Sequence, residues 1–152
     1  MTALDQPWLH ELVTVLSAPT VALSEAGGQI RPRGAQGVLH ADVRVLSEAV
    51  LTVDGAEPAP AGGGPVSAVA ARFVAVPRAH GDDIVDPTVR VIRVRTVAPG
   101  EVRESLTVIS DADAGVSASL ALTVAADLAG LAEIKGSRDG SGPVALAPRE
   151  CH

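Results

Sequence analysis

VSASLALTV, residues 116–124, places Val116, Ala118, Leu120, Leu122 and Val124 on one side of an extended chain and Ser117, Ser119 and Thr123 on the other. Successive side chains of a strand point to opposite faces, so this period predicts a half-buried antiparallel strand with one wet face. Working outward, comparable runs predict strands over 43–53, 66–76, 89–97 and 102–109, with the quoted one reaching 125. In 43–53, Val43, Val45, Ala49, Leu51 and Val53 share one expected face, while Leu46 and Val50 half cover the other. The phase of 89–97 slips, because Val89 and Val91 share a face with Arg93 and Arg95, and Ile92 and Val94 lie opposite. A β-bulge near 91–92, or burial on both faces, is the expected cause.

The connections carry turn chemistry. Asp54-Gly55, Pro99-Gly100 and 111–115 read as turns. Two short runs, 20–24 and 29–31, flank Gly27-Gly28 and read as a hairpin. APAGGGP (59–65) reads as a flexible surface loop, and 78–87 as a polar loop. The apolar segment 9–16 ends at Ser17-Ala18-Pro19, with a short N-terminal helix over 8–16 as the alternative. Strands joined by short turns predict an all-β fold, an antiparallel β-sandwich.

At 152 residues one domain is expected, with a core large enough to need no metal or disulfide. Residues 1–136 are read as the domain, and 137–152, with Gly140, Gly142 and two prolines, as a flexible tail. The sequence is 47% hydrophobic with one Trp, one Phe and no Tyr, so Val, Leu, Ile and Ala must fill the core. β-branched residues favour strands because their stiff side chains pack on a pleated surface.

A net charge of −6 with Lys135 as the single lysine argues against nucleic acid, whose binding rests on phosphate neutralisation, and against anionic membranes. So few aromatics offer no stacking surface for bases or sugar rings. No run of about 18 apolar residues predicts a membrane span, and MTALDQPWLHELVTV lacks the basic and apolar regions of a signal peptide. Cys151 alone forms no internal disulfide, so the expected compartment is the cytoplasm.

No catalytic constellation stands out. Gly62, Gly63 and Gly64 precede a proline rather than a helix, so they build no phosphate cradle. His80, Asp82, Asp83 and Asp86 share a loop but lack the alternating carboxylates of a calcium loop, and read as a solvated acidic loop. Glycoside hydrolysis needs two carboxylates facing across a rigid cleft, which acids on turns do not supply. No cofactor is expected. Asp42 and Arg44 lie among Leu39, Val43, Val45 and Leu46, and the expectation is an internal ion pair fixing the loop before the strand.

Four segments together resemble the N-terminal β-domain of bacterial glycogen-debranching-type enzymes, the amylo-α-1,6-glucosidase family. In GVLHADVRVLS (37–47), Gly37, Leu39, His40, Asp42, Arg44, Leu46 and Ser47 match that family's motif, while Ala41, Val43 and Val45 replace its Arg, Thr and aromatic. LTVDG (51–55) is similar to its strand ending in Asp-Gly. VIRVRTV (91–97) with ESLTV (104–108) is similar to its paired strands, and ADLAGLAEIKG (126–136) to its closing segment. The resemblance implies a supersandwich-like fold that docks on a helical α/α-barrel glucosidase domain or protein, with α-glucan as the candidate ligand. It makes His40, Asp42 and Arg44 candidate structural or cleft-edge residues. No part of the chain corresponds to the barrel that carries the catalytic acids, so the expectation is a scaffold or substrate-positioning module rather than an enzyme. The second reading is a stand-alone interaction module of unknown ligand, or the product of a truncated gene. The doubly apolar strands, through Leu46, Val50, Ile92 and Val94, predict an uncovered face and hence self-association or a partner.

Overall fold

The computed structural model describes residues 11–81, 86–136 and 144–145. Its elements follow as β1 (Val13–Ser17), β2 (Thr20–Ser24), β3 (Gly37–His40), β4 (Val43–Leu46), β5 (Glu48–Val53), β6 (Ala59–Ser67), β7 (Ala70–Val76), β8 (Val89–Ala98), β9 (Glu101–Ser110), β10 (Leu120–Ala126), α1 (Leu131–Gly136) and β11 (Val144–Ala145). All pairings are antiparallel, in the orders β1-β2-β3-β4, β5-β10-β11 and β6-β7-β8-β9.

The first two of these sheets form one layer. At Ser47 the chain steps from β4 into β5, and its N–H donates to Ala125 O at 2.8 Å. The chain after β10 then runs on beside β4, where Val43 bridges Gly130 and Arg44 N–H reaches Ala129 O at 2.9 Å. The second layer is the β6–β9 meander. Between the layers Val15, Ala22, Ile30, Val38 and Ala49 meet Ala71, Phe73 and Val97, which makes the fold the expected all-β sandwich.

The segment 43–53 is two strands rather than one. In β4 the buried residue is Arg44, while Val43 and Val45 are 38% and 40% exposed. The guanidinium is tolerated inside because Asp127 and two carbonyls accept four hydrogen bonds from it. After Ser47 the expected phase holds, with Ala49, Leu51 and Val53 buried. Val50 is buried as well, so it supplies none of the uncovered face.

No bulge interrupts β8, whose register against β7 and β9 is continuous. Val89, Val91, Arg93, Arg95 and Val97 are all buried on one face, so the apparent slip disappears once the arginines are inside. The segment 66–76 likewise contains a turn at Ala68-Val69 that joins β6 to β7.

APAGGGP is no loop: it forms most of β6, an edge strand. Gly63, at φ +124°, lies flush on β7, where a Cβ would sit 2.2 Å from Arg72 O. Only glycine permits that backbone and that approach.

Residues 29–31 do not return along β2, whose two edges are taken by β1 and β3. Instead Ile30 bridges Ala49 of β5. The first segment is strand β1 from Val13 rather than a helix, and residues 8–10 lie outside the described residues. Strand β10 begins at Leu120, not 116, although Ser119 is fastened to Asp54 through both its N–H and C=O. Val144 and Ala145, within the stretch read as a tail, pair with β10.

Candidate functional site

Two features gather the polar chemistry of the sandwich: a carboxylate shared by buried arginines, and a cleft that opens beside it. The two-residue turn Pro99-Gly100 fixes the β8–β9 register, which sets Arg95 opposite Glu104 and Arg93 opposite Leu106. Glu104 accepts from Arg93 Nε on one oxygen and from Arg95 Nε on the other. The two arginines are 3% and 1% exposed. Neutral acceptors take further donors: Gly28 O lies 2.8 Å from Arg95 Nη2, and Gln29 Oε1 lies 3.0 Å from Arg93 Nη1. Arg95 Cζ stands 5.5 Å from the centroid of Phe73, the ring that completes its enclosure. Burial pushes the Arg95 pKa down from its ordinary value, against the pull of Glu104.

Gln29 clamps a backbone as well as a side chain. Its Nε2 donates to Leu51 O and its Oε1 accepts from Leu51 N–H, each at 2.9 Å, so one amide side chain acts as a short partner strand for β5. Outside it, Arg31 joins Glu25 and Glu57 at 3.1 and 2.6 Å. The hydrogen bonding of Arg31 to Glu57 raises the Arg31 pKa above its ordinary range and lowers that of Glu57.

The cleft, about 300 Å³, lies between the layers. Leu46, Leu122 and Val124 wall it from the first layer and Val102 from the second, with Arg95 and Glu104 among its lining. His40 also lines it. Gly100 N–H donates to Thr20 Oγ1 at 2.8 Å, and Thr20 Oγ1 lies 2.9 Å from His40 Nδ1. This chain pins the β8–β9 turn of one layer to β2 and β3 of the other.

His40, Asp42 and Arg44 are therefore dispersed. His40 is at the cleft, whereas Asp42 is exposed on the β3–β4 turn at φ +66°. Arg44 pairs with Asp127 instead of Asp42, through Nε at 3.1 Å to Oδ1 and through Nη2 to Oδ2. Its Nη1 donates to Gly34 O and Gln36 O at 3.1 and 3.3 Å. Burial alone would raise the Asp127 pKa, but the bonds from Arg44 and from Ala129 N–H outweigh it and hold the carboxyl below its ordinary value. The residues missed by pattern reading are Gln29, Arg93, Arg95, Glu104 and Asp127. A signal for two of them was present, since a two-residue turn at 99–100 dictates that Arg95 faces Glu104.

In the acidic loop, Asp82 and Asp83 lie outside the described residues, Asp86 is exposed, and His80 Nε2 bonds Asp54 Oδ2. Among the described residues no three His, Cys, Asp or Glu side chains form a group suited to a metal ion. No described helix is long and apolar enough to cross a membrane.

Residues 15–150 match the model of a family described as the N-terminal domain of (some) glycogen debranching enzymes. No curated protein and no solved structure matches the chain.

Proposed function

Because the chain belongs to the family of N-terminal domains of glycogen debranching enzymes, we propose that it is the non-catalytic accessory domain of such a system. In this reading it supports, and positions α-glucan for, a helical glucosidase domain that carries the chemistry. The observation that carries the non-catalytic part is the occupation of the cleft's acids. Glu104 is neutralised by two buried guanidiniums, and Glu101 pairs with Arg103 at 2.9 Å. With Glu104 held by both guanidiniums, Glu101 is left without a second free carboxylate among the cleft's described lining residues to complete the pair that glycoside cleavage demands.

Support for docking comes from the apolar residues the layers leave uncovered. Leu106 and Val108 on β9 are 37% and 43% exposed, and with Val43 and Val45 of β4 they offer apolar surface to a partner. Ile92 and Val94 are only half-buried and Leu46 packs on the core, so the partner face differs from the one the doubly apolar strands suggest.

Two measurements on the purified chain test this. Incubation with glycogen, limit dextrin or maltooligosaccharides is expected to release no glucose above a buffer blank. Mixing with a helical glucosidase domain of the debranching family is expected to give a complex by light scattering, weakened by Leu106→Asp. Glucose release abolished by Glu104→Gln would overturn the non-catalytic reading, and no complex at high concentration would overturn the docking.

A further inference from the structure

We propose that the outer edge of β9 is a homodimer interface, on which a second copy of this chain lays its own β9 antiparallel, with Thr107 on the two-fold axis. Strand β9 ends its layer, with β8 on one side and, among the described residues, no strand on the other. Two bonds fix which of its groups face outward. Val97 N–H turns away from β9 to Val69 O, and Asp111 N–H donates across the β8–β9 ladder to Thr88 O, each at 2.8 Å. Val97 and Val102 are thus a non-hydrogen-bonded pair. The alternation of the ladder then directs the N–H and C=O groups of Val102, Glu104, Leu106, Val108 and Ser110 outward. The two edges of this layer differ. Strand β6 carries Pro60, Pro65, three glycines and two register shifts, devices that blunt an edge. Strand β9 runs ten residues in continuous register without proline, glycine or lysine. Such an edge is a template for a further strand.

The residues of β9 select a second copy as that strand. The outward groups belong to even-numbered residues, so two copies pair only with even opposite even. With Thr107 on the axis, Leu106 stands opposite the second copy's Val108, and Arg103 opposite its Asp111; symmetry repeats both contacts. All four residues are exposed in the single chain. Arg103 already bridges Glu101, and Asp111 bridges Arg90, so the pairing joins them into a line of alternating charge across the interface. Moving the axis to Leu106 sets Glu101 against the second copy's Asp111, and moving it to Ser105 sets Leu106 against Glu104. An axis at Val108 leaves Leu106 facing Ser110. The Thr107 axis alone matches apolar with apolar and opposite charges together. This inference concerns the chain by itself and goes beyond the accessory role. Docking of a helical domain also uses Leu106, so that partner displaces the second copy.

The test uses the 152-residue chain with its single thiol removed by Cys151→Ser. Sedimentation velocity is expected to show a dimer that dissociates on dilution. Arg103→Glu is expected to raise the dissociation constant roughly tenfold, because two symmetric attractions become repulsions. Thr107→Cys, at a non-hydrogen-bonded position on the axis where opposed Cβ atoms lie closest, is expected to give a disulfide-linked dimer under mild oxidation. Ser105→Cys, whose two thiols then stand four residues apart along the strands, roughly 13 Å, is expected to give none. An unaltered constant in Arg103→Glu, or cross-linking of Ser105→Cys as fast as Thr107→Cys, overturns the register and with it the proposal. A monomer at high concentration overturns it as well. A monomer that still binds the helical glucosidase domain overturns this inference alone, and a dimer that binds no such domain supports it and overturns only the docking.

Discussion

Arg44 and Asp127 lie 83 residues apart in the chain and join through two parallel hydrogen bonds, with side chains 11% and 9% exposed. The pair ties the inner turn of the first layer to the segment that closes it. A planar guanidinium matches a carboxylate in this fork geometry, and a lysine ammonium does not.

Removing one member strands the other charge inside. Arg44→Ala and Asp127→Ala are each expected to cost roughly 3–5 kcal/mol, or about 6–20 °C in melting temperature for a chain of this size. Arg44→Lys should recover little of that loss. Asp42→Asn, which keeps a residue suited to φ +66° on an exposed turn, is expected to change stability by less than about 0.5 kcal/mol. Differential scanning calorimetry on the four variants checks the contrast, and a large loss at Asp42 would restore it to the structural pair.

The same carboxyl makes the domain acid-sensitive. The Asp127 pKa is lower folded than unfolded, so its contribution to stability is complete above the unfolded value, near pH 4, and drains away as pH falls through the folded value. The urea midpoint is expected to fall as pH drops below about 4. Arg44→Ala should flatten that slope; a parallel slope in the variant would assign the acid sensitivity to other carboxyls.

Glu104 holds two guanidiniums at once. Glu104→Ala is expected to destabilise by at least the roughly 3–5 kcal/mol of a broken buried pair, because both Arg93 and Arg95 lose their ionic partner. Arg103→Ala removes an exposed bridge to Glu101, for which about 0–1 kcal/mol is expected. Equal melting temperatures for the two variants would refute the central role of Glu104.

Gly63→Ala drives a methyl into the β7 backbone and forces a non-glycine residue to φ +124°. It should detach β6 locally, seen as faster exchange of the β6–β7 amides and a lower melting temperature. Gly115→Ala meets nothing within 4 Å and is expected to leave both unchanged.

The strands β8 and β9, the turn between them and the burial of Ala49, Leu51 and Val53 were legible because hydrophobic period and turn chemistry agree there. Arg44, Arg93 and Arg95 defeat the same reasoning. A periodicity argument assigns every arginine to water, and the partners that license burial lie elsewhere, Glu104 on β9 and Asp127 just past the end of β10. The inverted phase of β4 and the false bulge in β8 are one error made twice. The edge strand β6 escaped for the opposite reason: glycine and proline signal a loop by propensity, while at Gly63 the missing side chain is what lets two strands touch. Of the candidate site, Arg44 was singled out with Asp42 as its partner, whereas the structure pairs it with Asp127, and the cleft that His40 lines draws its walls from three separated stretches.

The step from β4 into β5 at Ser47 also has a meaning in time. On its β10 side, residues 47–53 find their ladder only in residues 120–125, which leave the ribosome some seventy residues later at roughly 5–20 residues per second. During synthesis the first layer must wait with an apolar edge bare for several seconds, while β6–β9, a meander of neighbours in sequence, already has every partner it needs. Local pairing forms ahead of distant pairing because less chain must be closed. The nascent chain thus pairs its two sequential meanders, β1–β4 and β6–β9, before β5 gains β10, and its period of greatest exposure to aggregation ends when residues 120–131 arrive.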